Sequence, residues 1–138
     1  MKKLIGFTAV LITLFLSTNA FAQSLTFESD KGTKYEAATV DLPGDAYTWR
    51  QAKAGCSEFE ENGKKGGWFV PSLVDLENMY AELHLEGLGN FVNGDYWSSD
   101  KFGLFHACEI DMLNGQAHVR VRKNFPFRVR CVRAVQTI

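Results

Sequence analysis

Apolar positions recur in two rhythms along this chain. Between Thr48 and Glu61, Trp49, Ala52, Cys56 and Phe59 fall three or four residues apart, while Arg50, Lys53, Glu58, Glu60 and Glu61 lie elsewhere. That spacing puts one apolar stripe on a helix. Thr48 is placed to cap its first turn, and Asn62-Gly63, which tolerate the left-handed backbone of a helix stop, end it. A second helical stripe runs through Leu73, Leu76, Met79, Tyr80 and Leu83 and fades by Gly87. Ser72 stands at its N-cap with Asp75 three residues on, close to a capping box. Between the two helices, Lys64-Lys65-Gly66-Gly67 reads as a solvated turn. Trp68-Phe69-Val70 reads as a short buried strand that Pro71-Ser72 interrupts.

The other rhythm has a period of two. Tyr35 to Leu42 alternates loosely as a first strand, closed by the turn Pro43-Gly44-Asp45. Leu88 to Gly94 is a Gly- and Asn-rich loop, and Asp95 to Asp100 follows it. Phe102 to Met112 predicts a strand that Asn114-Gly115, a strong hairpin signal, turns into the next. In His118 to Arg122, Val119 and Val121 point one way and His118, Arg120 and Arg122 the other. After a turn at Asn124 to Pro126, Phe127 to Val135 is the last strand, with Phe127, Val129 and Cys131 on one face and Arg128, Arg130 and Val132 on the other. A strand, two helices and then a meander predict an α+β domain: two helices packed on a small antiparallel sheet with a C-terminal β-meander.

The N-terminus falls outside both rhythms. Lys2 and Lys3, an apolar run from Leu4 to Leu16 and the ending Ala20-Phe21-Ala22 make residues 1–22 a secretory signal peptide cut before Gln23. The run is shorter than the about 20 apolar residues a membrane span needs. Residues 23–34 are polar and read as a flexible lead-in, and residues 35–138 suit one small domain. No Cys follows the cleavage point to carry a lipid. The mature chain is therefore expected in the periplasm or outside the cell, with no membrane span.

Charge sharpens the picture. Without Lys2 and Lys3, 13 of the 15 basic residues remain against 16 acidic ones, a net of −3. From Lys101 onward seven basic residues face only Glu109 and Asp111, a balance of +5, so Gln23 to Asp100 carries −8. Such a split marks a basic binding face or two halves that attract each other. Nucleic acid does not suit an exported domain of negative total charge. Three cysteines remain, Cys56, Cys108 and Cys131. An oxidising compartment favours a disulfide among them, the odd count leaves one thiol over, and their wide separation is unlike a metal knuckle.

Several pieces together resemble a known family. Trp49-Arg50-Gln51-Ala52, then Cys56, then an apolar strand entering a Ser-capped helix, is similar to the first half of a C-type lectin-like domain. Gly67-Trp68-Phe69-Val70-Pro71-Ser72 with Asp75-Leu76, Tyr96-Trp97-Ser98-Ser99, and the closing Val129-Arg130-Cys131-Val132-Arg133 resemble, in that order, the bacterial Lcl C-terminal-like domain family. Its pattern is Trp-Arg-Leu-Pro-Thr, an acidic-Leu helix start, Tyr-Trp-Ser-Ser and Val-Arg-x-Val-Arg; here Phe69-Val70 replaces Arg-Leu and Ser72 replaces Thr. The resemblance covers about Tyr47 to Val135. It implies a C-type lectin-like fold, an extracytoplasmic location and no single activity. It also implies a Cys56–Cys131 disulfide tying the first helix to the last strand, worth roughly 4 kcal/mol in the chain-entropy picture. Cys108 is then left over in a strand, a buried inert thiol on one reading and a reactive or intermolecular one on the other.

Little in the chain points to catalysis. His84, His106 and His118 are isolated, with no HExxH or close pair. Ser98 and Ser99 lack the elbow of a hydrolase, and the paired cysteines of the related sulfatase-activating enzymes have no counterpart. A non-enzymatic module with no cofactor is expected. Asp95 and Asp100 offer oxygens for calcium, but the Glu-Pro-Asn, Gln-Pro-Asp and Trp-Asn-Asp motifs of calcium-dependent lectins are missing. The candidate site is an arginine face. Arg120, Arg122, Arg128 and Arg130, on adjacent antiparallel strands, present guanidinium forks suited to sulfate, phosphate or carboxylate. The competing reading has acids of the first half, such as Glu36, Asp41 or Glu58, neutralising that face. Trp97 reads as core filler with the serines tying the backbone; the alternative counts Tyr96 and Trp97 among the ligand contacts. The partner expected is an anionic glycan or envelope component. The second reading is a structural or protein-interaction subunit docking through an exposed aromatic loop around Phe91 and Trp97.

Overall fold

The computed structural model describes residues 24–135; the signal peptide read from residues 1–22 lies outside them. The described residues fold as α+β, with two helices and small antiparallel sheets. Its elements are β1 (Leu25–Glu28), β2 (Lys34–Ala37), α1 (Trp49–Ser57), β3 (Glu60–Glu61), β4 (Lys64–Lys65), α2 (Leu73–Glu82), a 3-10 turn (His84–Glu86), β5 (Asp95–Phe102), β6 (His106–Asp111), β7 (Gln116–Arg122) and β8 (Val132–Ala134).

The helices begin where their caps dictate. Thr48 accepts from the Gln51 N–H and Gln51 reaches back to the Thr48 N–H; Ser72 and Asp75 make the same reciprocal pair. Each box satisfies two backbone donors that a helix start otherwise leaves open. α1 buries Trp49, Ala52 and Cys56, and α2 buries Leu76 and Met79. α1 stops at Ser57, earlier than its apolar spacing predicts. Asn62-Gly63 does not end the helix: with φ of 53° and 78° it turns the β3–β4 ribbon, which pairs Glu60 with Lys65 and Glu61 with Lys64. Two successive left-handed residues make the hairpin turn whose twist matches paired strands, so Lys64-Lys65 is strand rather than loop.

Two further readings are corrected. The polar stretch 23–34 contains β1, whose Leu25 and Phe27 are buried. It pairs in register with β2, which pairs in turn with β8 to give the order β1-β2-β8. The segment around Tyr96-Trp97-Ser98 is the start of β5, not a loop. The strand read as Phe102 to Met112 is the end of β5, a tip at residues 103–105 and β6. β5, β6 and β7 form the second sheet in that order.

The closing segment holds the layers together. The Trp97 N–H donates to the Arg128 carbonyl, the Arg128 N–H to that of Asp95, the Leu42 N–H to that of Val129 and the Ala38 N–H to that of Cys131. Phe69 and Val132 exchange both backbone hydrogen bonds. Residues 127–132 thus run between two apolar clusters. One gathers Phe27, Leu76, Met79, Tyr96, Ile110 and Val132. The other gathers Trp49, Trp68, Trp97, Val129 and the Cys56–Cys131 pair. That pair is disulfide-bonded with Cα atoms 5.6 Å apart, joining α1 to the closing segment across 75 residues. Cys108 is free and buried; burial, and after it the Asp100 carboxylate, push its thiol up from the usual range.

Candidate functional site

The arginines do not gather on one face. β7, carrying Arg120 and Arg122, lies at one edge of the β5-β6-β7 sheet, while Arg128 pairs with Tyr96 beyond β5 at the other. Arg130 is 1 % exposed. Its Nε donates to Asp41 Oδ1 at 2.8 Å and its Nη1 to the carbonyls of Ala38 and Gly89 at 3.0 and 2.8 Å. The guanidinium also stacks 4.1 Å from the centre of the Phe91 ring. Asp41 is the hub: its Oδ2 accepts from the Tyr96 hydroxyl at 2.9 Å and lies 3.9 Å from Arg128 Nη1. Arg128 also reaches Asp45 at 3.5 Å. Of the acids expected to neutralise the arginines, Asp41 does so, while Glu36 pairs with Lys64 instead.

Tyr96 and Trp97 are fully buried and Phe91 nearly so. They are core, and no exposed aromatic loop forms around Phe91 and Trp97. Trp97 Nε1 donates to the Tyr47 carbonyl, and Ser98 Oγ to the Cys108 carbonyl. Burial, and after it the Asp41 carboxylate, push the Tyr96 hydroxyl up to about 12 against the Val92 N–H that it accepts. Of the two acids considered for calcium, Asp100 accepts the Leu73 N–H through Oδ2 at the start of α2.

The charge concentrates elsewhere, at the tip of the β5–β6 hairpin. Gly103, with φ of 75°, lets the chain reverse over Leu104 and Phe105. Both side chains are 71 % exposed, with Phe102 and Phe125 also open to solvent. Lys123, just past β7, fixes the tip from below. Its N–H donates to the Phe105 carbonyl at 3.0 Å and its Nζ to that of Leu104 at 2.9 Å. Its carbonyl accepts from the Trp49 N–H, which brings the first turn of α1 alongside. The ammonium groups of Lys53 and Lys123 stand 4.6 and 4.4 Å from the Trp49 ring centre. A cavity of about 460 Å³ opens here between Arg50, the hairpin residues Leu104 to His106, and Arg122 to Asn124.

Arg50, Arg122 and Lys123 make the floor of this cleft basic beneath an apolar rim. Lys123 loses hydration in it and lies near Lys101, Arg50 and Lys53, which together lower its pKa. Among the described residues, none of Arg50, Lys53, Lys101, Arg120, Arg122 and Lys123 is ion-paired with an acid. Like charges held together without counterions form a positive potential that draws anions. Arg120 and Arg122 belong to this region, Arg120 stacking over Phe102 at 5.1 Å. Arg50, Lys53, Lys101, Lys123 and the apolar tip escaped the sequence reading. The legible signal was Leu104-Phe105, two large apolar residues directly after a Gly at a turn. Nothing in the strand pattern brings α1 to that turn.

No protein-family model matches the chain, and no curated protein matches it in sequence.

Proposed function

We propose that this chain is an exported, non-enzymatic binding module that holds an anionic envelope component, a polyanionic glycan above all, in the basic cleft beneath the β5–β6 tip. The observation that carries this reading is the set of cations, without an acid partner among the described residues, around a cavity of about 460 Å³ capped by exposed Leu104 and Phe105. Guanidinium and ammonium groups answer sulfate, phosphate or carboxylate, and the apolar tip answers the less polar faces of a sugar chain. The Cys56–Cys131 disulfide is compatible with export, and no helix among the described residues is long and apolar enough to cross a membrane.

We read the fold more finely as C-type lectin-like, of the Lcl C-terminal-like kind. The order helix, short strand segment, Ser-capped helix and three-stranded meander supports this, together with the disulfide from the first helix to the closing segment. Retention on a sulfated-polysaccharide column tests the function. Arg122→Glu is expected to elute at clearly lower salt than the parent chain. Lys31→Glu, the same charge change on the exposed β1–β2 turn, is expected to elute nearly with the parent. Equal losses in the two variants would mean that retention follows net charge alone, and the cleft assignment would fail. The second reading, a protein-interaction subunit, now rests on Leu104 and Phe105 rather than on Phe91 and Trp97. It predicts that Leu104→Ser with Phe105→Ser abolishes a defined envelope-protein complex in a chain that the polysaccharide does not retain.

A further inference from the structure

The β5-β6-β7 sheet holds a second cluster that the basic cleft does not use. Asp95 opens β5, Glu109 sits inside β6, and His118 faces Glu109 across the β6–β7 register. His118 Nδ1 lies 2.9 Å from Glu109 Oε2. One ligating atom from each of Asp95, Glu109 and His118 falls within 4.8 Å of the other two. Glu109 is 3 % exposed, and its Oε1 is sealed from solvent without a hydrogen-bond partner. A buried carboxylate oxygen is ordinarily satisfied by a donor or a cation, and an ion held between the three side chains would satisfy this one. The His118 ring is 43 % exposed, which leaves a way in from solvent.

We propose that Asp95, Glu109 and His118 bind one divalent transition-metal ion of the zinc class. An imidazole nitrogen with two carboxylate oxygens suits zinc or its first-row neighbours. Calcium wants six to eight oxygens and gains nothing from the imidazole. Three protein ligands leave a fourth position for water or an external group. The ion would give Glu109 Oε1 a partner and offset the charge of Asp95, Glu109 and Asp111 together. The site is separate from the cleft, so it stands or falls independently of glycan binding.

Zinc titration of the untagged chain, followed by calorimetry, tests the assignment. One zinc per chain is expected, with affinity falling about tenfold or more in His118→Ala and in Asp95→Asn. His84→Ala is expected to leave it unchanged. Both His118 and Asp95 are partly exposed, and circular dichroism of each variant confirms that the fold is kept. Cobalt(II) added to the parent chain gives a readout that needs no variant: visible d–d bands of a low-coordinate site, displaced by zinc. Absence of saturable binding at stoichiometric zinc would overturn the proposal. So would binding that survives His118→Ala, or calcium taken as tightly as zinc.

Discussion

Arg130 shows how this small domain tolerates charge in its centre. The side chain is fully enclosed, yet its donors meet the Asp41 carboxylate and the carbonyls of Ala38, Gly89 and Asn90. A buried ion pair adds little net stability against an apolar replacement, but removing one partner strands the other. Arg130→Ala leaves Asp41 and two close carbonyls without their donor. It is expected to cost about 3–5 kcal/mol in urea unfolding. Arg130→Lys should recover only part of the loss, because a single ammonium cannot span Asp41 on one side and Gly89 on the other. The same hub sets a pH limit. The Tyr96 hydroxyl is raised to about 12 in the fold, above the usual 10.0. The native state therefore keeps a proton that the unfolded chain releases first. The stability linked to Tyr96 is fully present below pH 10 and is lost as pH rises through 12. A spectrophotometric titration should show a tyrosinate step near that upper value that Tyr96→Phe abolishes.

At the scale of elements, the second helix is held by its first turn. Ser72 Oγ accepts from the Asp75 N–H, and Asp75 Oδ2 accepts from the Ser72 N–H. Asp75 Oδ1 also accepts from the Asp30 N–H, so the same buried carboxylate anchors the β1–β2 turn. Ser72→Ala is expected to cost about 1 kcal/mol. Asp75→Ala should cost more, because it frees both α2 and β1; thermal unfolding followed by circular dichroism separates the two. Features of this kind were legible beforehand: both N-caps, the stripe through Leu76 and Met79, and the β6–β7 hairpin around Asn114-Gly115 all follow from local chemistry. β1 was not. Leu25 and Phe27 alternate for only four residues in a polar surrounding, and their burial depends on β2, whose other edge is filled by β8 nearly a hundred residues away. The early end of α1 was hidden for a similar reason. The Phe59 spacing continues the helical stripe, but Phe59 packs edge-on against Trp68 at 5.1 Å from outside the helix.

At the scale of the molecule, strands adjacent in sequence need not be neighbours in space. Reading β7 and the closing segment as a paired meander put four arginines on one face. In the fold two strands intervene, because residues 127–132 leave the β7 edge and run beside β5. The charge split divides in the fold: Asp41 and Asp45 draw in Arg128 and Arg130, while Arg120, Arg122 and Lys123 have no acid partner among the described residues, and Arg50 and Lys53 from the acidic half lie near Lys123. The path of the closing segment has a further consequence. It contributes Val132 to one apolar cluster and Val129 and Cys131 to the other, so neither cluster can open without removing a wall of its neighbour. The two are expected to unfold as one unit. All three tryptophans lie in the cluster that contains the disulfide, whereas Met79 and Ile110 lie in the other. Tryptophan fluorescence and amide exchange at Met79 and Ile110 therefore report the two clusters separately. Replacing Cys56 and Cys131 together by Ala should lower stability by roughly 4 kcal/mol, as the 75-residue separation implies. The two signals should still fall at one denaturant concentration, because backbone hydrogen bonds from Ala38, Leu42, Phe69 and Trp97 to the closing segment remain. Loss of the tryptophan signal ahead of the exchange protection would mean that the disulfide, and not the segment, couples the halves.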